Sequence, residues 1–201
     1  DGSMFGEEYT LVAVADYVLS KTPGNTVSNM SSSRALKDVT ERHGRMYEAS
    51  AVGEVNVVEL MKKNNAVIGG EGNGGIIYPE IHYGRDALVG VALFLTHLAK
   101  QDLDVASLRA SYPQYFMSKN KIELTPEIDV DAILDAMQKR YVNEKITTID
   151  GVKIDLADSW VHLRKSNTEP IIRIYTEAQT QQLADDLAQR ILNEIQEIVK
   201  K

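Results

Sequence analysis

The sequence predicts two domains. The first is a layered α/β domain with a mixed, mostly parallel sheet, and the second is a smaller α+β domain with an antiparallel sheet and helices on one face. Helical and strand patterns alternate over the first half of the 201 residues, as they do in layered domains with parallel strands. A segment with tyrosine and proline at 111–114 interrupts this alternation. Beyond it come one strand and one helix, and then four short strand patterns follow one another before a last helix, which is typical of an α+β domain.

In the first half, the spacing of apolar residues and the turn residues define four helices and three strands. The helices are predicted at 8–21, 34–43, 53–65 and 85–100, and the strands at 26–30, 46–51 and 66–69. The hydroxyls of Ser31, Ser32 and Ser33 precede the second helix and can cap it, while Gly44 follows it as a C-terminal stop.

In the second half, the same reading gives five strands and two helices. The strands are predicted at 116–124, 145–148, 152–156, 160–164 and 171–177, and the helices at 129–141 and from 180 onward. The last helix places Leu183, Leu187, Ile191 and Ile195 four residues apart, which is a single apolar stripe for packing on a sheet.

The composition of the chain argues against several classes of protein function. The net charge of −7 argues against a protein that wraps nucleic acid, although a small anion needs only a local group of donors. The chain has no cysteine, which excludes disulfides and thiolate chemistry. No apolar run reaches the roughly 18 residues of a membrane span, and no signal peptide is visible. We therefore expect a cytoplasmic protein with neither nucleic acid nor a membrane as partner.

The segment Arg164-Lys-Ser-Asn-Thr-Glu-Pro170, which we call the Arg164 loop, lies between two predicted strands and is followed by Arg173. An arginine offers a planar fork of donors that matches two phosphate oxygens, and short hydroxyl and amide donors follow it. Consecutive backbone N–H groups of a tight turn can also hold an anion. A plain polar hairpin turn explains the same residues equally well.

The segment Gly69-Gly-Glu71-Gly-Asn73-Gly-Gly75, which we call the glycine loop, surrounds one carboxylate and one amide with five glycines. Such a backbone bends tightly or approaches a ligand closely, and Glu71 and Asn73 can bond sugar hydroxyls. A flexible turn between two strands is the alternative. Before it, Glu54 follows Gly53 at a predicted helix start, either as a first-turn acid or as a ligand group.

Other polar residues have simpler explanations. The pairs Asp102 with Asp104 and Asp129 with Asp131 stand before helical patterns, so we interpret them as helix caps. The four histidines show no metal-ligand spacing. In Gly84-Arg-Asp86, the aspartate suits a cap, and Arg85 can pair with a carboxylate or approach a ligand.

The Arg164 loop closely resembles the phosphate-binding loop in the last domain of the phosphohexomutase superfamily, and the glycine loop resembles the sugar-recognition loop of that family's third domain. The resemblance implies two sets of site residues. The phosphate-binding set is Arg164, Ser166, Asn167, Thr168 and Arg173, and the sugar-binding set is Glu71, Asn73, Gly75 (by its backbone) and Glu54.

The sequence departs from the family pattern Gly-Glu-x-Ser-Gly-His, because Asn73 stands at the serine and Gly75 at the histidine. This form is more similar to the phosphoglucosamine mutase type than to the phosphomannomutase/phosphoglucomutase type. Glu54 stands where some relatives carry histidine. A carboxylate there would suit a cationic amine, which points to an amino sugar.

The resemblance also implies a domain plan: 1–8 as the tail of a preceding domain, 9–110 as the third domain, 111–120 as a hinge and 121–201 as the C-terminal domain. The family's catalytic serine loop and its aspartate loop for Mg²⁺ lie further upstream and are not in this sequence. We therefore expect a fragment that is inactive alone, with no catalytic or metal-binding residue of its own.

The full-length enzyme implied is an intramolecular phosphotransferase of the isomerase class, which interconverts a hexose 6-phosphate and 1-phosphate, with glucosamine phosphate as first choice. It would use Mg²⁺ and a hexose bisphosphate activator, and the partners of this segment would be the phosphosugar and the missing N-terminal domains. A phosphomannomutase/phosphoglucomutase fragment and a stand-alone phosphosugar-binding module are the alternatives.

Overall fold

The computed structural model describes residues 2–125, 128–166 and 168–199, which divide into one compact unit up to Gln114 and a second from Tyr115. In chain order the elements are α1 (Glu7–Leu19), β1 (Asn25–Asn29), α2 (Ala35–Arg42), β2 (Tyr47–Ser50), α3 (Glu54–Lys63), β3 (Ala66–Glu71), β4 (Gly75–Ile77), α4 (Ala87–Gln101), α5 (Val105–Ala110), β5 (Phe116–Glu123), α6 (Val130–Arg140), β6 (Lys145–Thr147), β7 (Val152–Asp155), β8 (Trp160–Lys165), β9 (Ile171–Ala178) and α7 (Gln181–Val199).

The first unit is built on a four-stranded sheet in the order β2-β1-β3-β4. β1 runs parallel to β2 and β3, and β4 is antiparallel to β3 at the edge. The expected mixed, mostly parallel sheet is confirmed. Because parallel strands are covered on both faces, the α/β pattern requires helices above and below this sheet.

Two adjacent glycines of β3 show how closely the helices approach the sheet. A Cβ atom at Gly69 would meet Met61 of α3, and one at Gly70 would come within 3.3 Å of Leu11 in α1. Successive residues of a strand point to opposite faces, so α3 covers one face and α1 the other. α1 is apolar around most of its circumference, and eight of its thirteen residues are buried, as befits a helix enclosed by sheet and neighbouring helices.

The second unit carries a five-stranded, fully antiparallel sheet in the order β5-β9-β8-β7-β6. Alternate residues of β8 and β9, among them Leu163 and Ile174, share a core with α6 and α7. The stripe of α7 supplies Leu187, Ile191 and Ile195 to that core. The prediction is wrong for Leu183, which is 53% exposed in the first turn of α7. The predicted sheet with helices on one face is confirmed.

In each of the two predicted aspartate pairs, one aspartate caps a helix and the other does not. Asp104 and Asp129 cap α5 and α6, because their side chains accept the Ser107 and Ala132 N–H groups. The capping prediction is wrong for Asp102, which ends α4 in a left-handed conformation with φ of 52°. It is also wrong for Asp131, which lies inside the first turn of α6.

Within the described ranges, no helix has both the length and the apolar character to cross a membrane.

Candidate functional site

Three parallel strands of the first unit end at one edge of the sheet, and polar residues follow each of them. β1 ends at Asn29 and leads into the serine turn, 31–33; β2 ends at Ser50, shortly before Glu54; and β3 ends at Glu71, inside the glycine loop. Asn29 and Ser50 lie opposite each other in the β1–β2 register. In open α/β sheets, ligands bind in the crevice at the carboxyl ends of the strands, so this edge is the candidate site of the first unit.

The carboxylate of Glu71 is buried at this edge, with 6% of the residue exposed. Its Oε1 accepts a hydrogen bond of 2.8 Å from Asn29 Nδ2 and one of 3.3 Å from the Gly53 backbone N–H. One oxygen thereby ties the ends of β1 and β3 to the turn before α3. The second oxygen, Oε2, lies 3.6 Å from Nη1 of Arg85.

Glu54 holds Arg85 from the other side. Its Oε1 accepts the Arg85 backbone N–H at 3.0 Å, and its Oε2 accepts Nε–H of the same residue at 2.8 Å. The backbone hydrogen bond, with the side-chain one, lowers the pKa of the Glu54 carboxyl below its usual value. Two carboxylates and one guanidinium thus form the row Glu54–Arg85–Glu71 beside the carboxyl ends of these strands.

The glycine loop is shaped around this row. A Cβ atom at Gly75 would lie 2.6 Å from Cδ of Arg85, so the missing side chain gives room for the arginine stem. Asn73 is exposed, and its Oδ1 accepts the Gly75 N–H at 3.2 Å. The structure therefore brings Glu54, Glu71, Asn73 and Gly75 together at one edge of the first unit.

The residues that support the glycine loop from the serine turn were not predicted as site residues. Ser32 Oγ donates to Asn29 Oδ1 at 3.0 Å and accepts the Gly72 N–H at 2.9 Å. Glu8 Oε2 accepts the Ser33 N–H at 2.9 Å, and a Cβ atom at Gly72 would overlap that carboxylate. The available signal was a polar run directly after a predicted parallel strand, which the rule about carboxyl ends singles out.

The second candidate site lies on the second unit, where β8 passes into β9 through the Arg164 loop. Ser166 is buried, its N–H donates to Ile171 O at 2.9 Å, and its Oγ accepts the Thr168 N–H at 3.4 Å. Nε of Arg164 is buried and has no hydrogen-bond partner in the part of the chain that the structure describes. Asn167 lies outside the described residues.

A row of cations crosses three neighbouring strands beside this loop. Arg164 of β8 lies opposite Arg173 of β9, which in turn lies opposite Lys121 of β5. Cross-strand partners share one face of a sheet, and like charges placed opposite each other are destabilising. Glu169 relieves part of this repulsion through its ion pair with Arg173. A bound anion would relieve more, so the row suits an anionic ligand.

No group of three or more histidine, aspartate or glutamate side chains in the described ranges could hold a metal ion. Within these ranges, the donor set therefore does not fit a Mg²⁺ site.

Comparisons with known proteins agree with both halves of this description. Residues 6–115 match the family model "Phosphoglucomutase/phosphomannomutase, alpha/beta/alpha domain III", and residues 121–194 match the model of the "C-terminal domain" of the same family. A phosphoglucomutase/phosphomannomutase of Thermococcus kodakarensis is 32% identical over 100% of this chain and 44% of its own length. A phosphoglucosamine/phosphogalactosamine mutase of Sulfurisphaera tokodaii is 36% identical over 87% of this chain and 38% of its own length.

Solved structures show the same fold. A phosphoglucomutase/phosphomannomutase family protein of Burkholderia thailandensis superposes with a TM-score of 0.81 at 20% identity, covering 100% of this chain and 43% of that one. A putative phosphomannomutase of Thermus thermophilus gives 0.70 at 26% identity, covering 98% and 41%. The chain spans less than half the length of the curated relatives named above. It belongs to the phosphoglucomutase/phosphomannomutase family, of which it carries domain III and the C-terminal domain.

Proposed function

We propose that this chain is the C-terminal half of a phosphohexomutase and holds the sugar and the non-reacting phosphate of a hexose phosphate. The observation that carries the proposal is the arginine pair Arg164 and Arg173, placed opposite each other on β8 and β9 at the loop of Ser166 and Thr168. Two like charges are unfavourable there, and the ion pair of Arg173 with Glu169 offsets only part of the repulsion. Phosphate matches arginine donors in geometry and in charge.

In this proposal the Arg164 loop clamps the phosphate through Arg164, Ser166, Asn167 and Thr168, and Arg173 adds a second guanidinium. We propose residues 121–201 as the domain that carries this clamp and 111–120 as the hinge before it, although 116–120 already belong to β5.

The sugar ring binds at the strand ends of the first unit, the third domain at 9–110. Glu71 accepts ring hydroxyls, Asn73 donates and accepts, Gly75 offers its backbone, and Glu54 lies at the edge of the same site.

Positioning alone does not transfer a phosphoryl group. Upstream domains, which residues 1–8 would follow, supply the phosphorylated serine and the site for Mg²⁺, and a hexose bisphosphate serves as activator. In this proposal, the chain itself binds and orients the substrate. We place the full-length enzyme in the cytoplasm.

Glucosamine phosphate is the proposed substrate, because the glycine loop has the form typical of phosphoglucosamine mutases and a 36% identical relative is named phosphoglucosamine/phosphogalactosamine mutase. Mannose and glucose phosphates are the second candidate, since a relative matching the whole chain is named phosphoglucomutase/phosphomannomutase.

Calorimetric titration of the 201-residue chain with glucosamine 6-phosphate tests the proposal. We expect Arg164→Ala to weaken binding by about 10- to 100-fold, because charge-assisted hydrogen bonds to phosphate are lost. Arg140→Ala is the matched control, since it removes an arginine that pairs only with Glu194 and Glu197 in the described residues. Equal affinities for the Arg164 and Arg140 variants would refute the phosphate clamp. Mannose and glucose 6-phosphates, titrated alongside, rank the two candidate substrates.

A further inference from the structure

Arg85 sits between two carboxylates and is hydrogen-bonded to only one of them. Glu54 takes its backbone N–H and its Nε–H, at 3.0 and 2.8 Å. Nη1 points toward Glu71 Oε2 but stops at 3.6 Å, which is too long for a hydrogen bond. The guanidinium is therefore anchored by Glu54, and a donor and an acceptor face each other across a gap at Glu71.

Stability alone does not explain this arrangement. The side chains of Arg85 and Glu54 are 46% and 35% exposed, and ion pairs at such exposure contribute at most about 1 kcal/mol. The chain nevertheless keeps space for the arginine stem, because a side chain at Gly75 would collide with it. An ion pair that shapes a loop at the carboxyl ends of parallel strands points to ligand recognition.

This donor and this acceptor select the group that can bridge them from the side, since 3.6 Å leaves no room for an atom between them. Arginine has donors and no acceptor, whereas an ionised carboxylate only accepts. A hydroxyl can donate to Glu71 Oε2 and accept from Arg85 Nη1 at once. An ammonium group has no acceptor for Arg85, and its charge is repelled by the guanidinium.

We propose that Arg85 is a specificity-determining residue that, together with Glu71, reads one hydroxyl of the sugar ring, and that Glu54 is a positioning residue that holds Arg85 in place. The inference rests on the proposed function and refines it. In this inference Glu54 binds Arg85 and not an amine of the substrate. An amino group of the sugar would therefore lie away from Glu54 and Arg85.

The experiment uses the full-length protein that contains this chain. The specificity constant kcat/KM is measured for a hexose 6-phosphate and for its three analogues that lack the hydroxyl at ring carbon 2, 3 or 4. We expect the wild type to discriminate against one analogue by about 100-fold or more, because a site built for a hydroxyl rejects a substrate without it. Arg85→Met should reduce that one ratio to below about tenfold and leave the other two ratios unchanged.

Glu54→Gln tests the positioning role. It keeps an oxygen that can accept the Arg85 backbone N–H but loses the charge, so we expect the same single ratio to fall by a smaller factor. The double variant Glu54→Gln/Arg85→Met should behave like Arg85→Met alone, since Glu54 acts through Arg85. Additive losses, or a loss for an amino sugar in Glu54→Gln that Arg85→Met does not share, would overturn the proposal. Arg140→Met is the control for removal of an exposed, paired arginine.

Failure of this inference differs from failure of the proposed function. If the wild type turns over hexose phosphates and Arg164→Ala impairs it, but Arg85→Met changes every substrate equally or none, then Arg85 does not read a hydroxyl and the proposed function stands. If the wild type acts on no hexose phosphate, the proposed function fails and this inference falls with it.

Melting temperatures of all variants are recorded. Should Arg85→Met unfold, Arg85→Lys, which keeps the charge but loses the anchored fork, takes its place.

Discussion

Ser32 connects the serine turn to the glycine loop through a single hydroxyl. It is 4% exposed, donates to Asn29 and accepts the buried Gly72 N–H. Ser32→Ala leaves that N–H without an acceptor, so we expect the free energy of unfolding to fall by about 1–3 kcal/mol. Urea unfolding of the 201-residue chain, followed by circular dichroism, measures the change.

Ser20→Ala is the matched control, because it removes a serine hydroxyl that bonds the Tyr17 carbonyl at the exposed end of α1. We expect a change within about 0.5 kcal/mol for it. A similar loss in both variants would mean that Ser32 supports the glycine loop no more than a surface serine supports its helix.

At the scale of a helix, the N-terminal cap of α6 gives a direct test. Asp129 Oδ1 accepts the Ala132 N–H at 3.0 Å, whereas Asp131 stands inside the first turn and caps nothing. Asp129→Ala should lower the free energy of unfolding by about 1 kcal/mol. Asp131→Ala should cost only about 0.3 kcal/mol, the contribution of a charge to the helix dipole. Equal losses, measured by urea unfolding, would show that the cap does not contribute.

The same helices show what the sequence can predict at this scale. The stripe of α7 was predictable, because Leu187, Ile191 and Ile195 repeat every four residues and need only one apolar surface. α5 was not assigned, since six residues give too little periodicity to recognise. The predicted cap at Asp86 is confirmed, but α4 begins after it and not at Arg85, which pairs with Ile77 in a β-bridge.

Only part of the candidate site was predictable from the sequence, because some of its residues come from distant positions of the chain. Glu71 and Arg164 stand in short motifs that a reader of the sequence can find. The partners of those motifs come from distant positions: Asn29 reaches Glu71 across 42 residues, and Glu54 reaches Arg85 across 31. Such contacts arise from the sheet order β2-β1-β3-β4, which places strand ends side by side, and the chain order does not reveal them.

For the molecule as a whole, the family's domain plan was accessible from the sequence because each half carries one motif. The structure divides at Gln114 and Tyr115, and the two family models end and begin at 115 and 121. Each unit also buries one histidine, His97 in the first and His162 in the second. This shared feature makes the pH dependence of stability a property of both units.

Burial lowers the pKa of His162 to about 4 and also lowers that of His97, where the nearby Asp16 carboxylate opposes the shift. In the unfolded chain a histidine has a pKa of about 6.5, so between these values the unfolded state binds more protons than the folded one. Stability therefore rises with pH through this window and levels off above about pH 7. For His162 the full loss on acidification reaches about 3 kcal/mol.

Trp160 allows this loss to be measured in the second unit. It is the only tryptophan of the chain, is fully buried, and lies on β8 two residues before His162. Urea unfolding followed by its fluorescence should show a slope of about 1.2 kcal/mol per pH unit between about pH 5 and 6. His162→Gln should reduce that slope, whereas His82→Gln, which replaces a half-exposed histidine of the first unit, should retain it. An unchanged slope in His162→Gln would mean that the acid sensitivity of the second unit comes from groups other than its buried histidine.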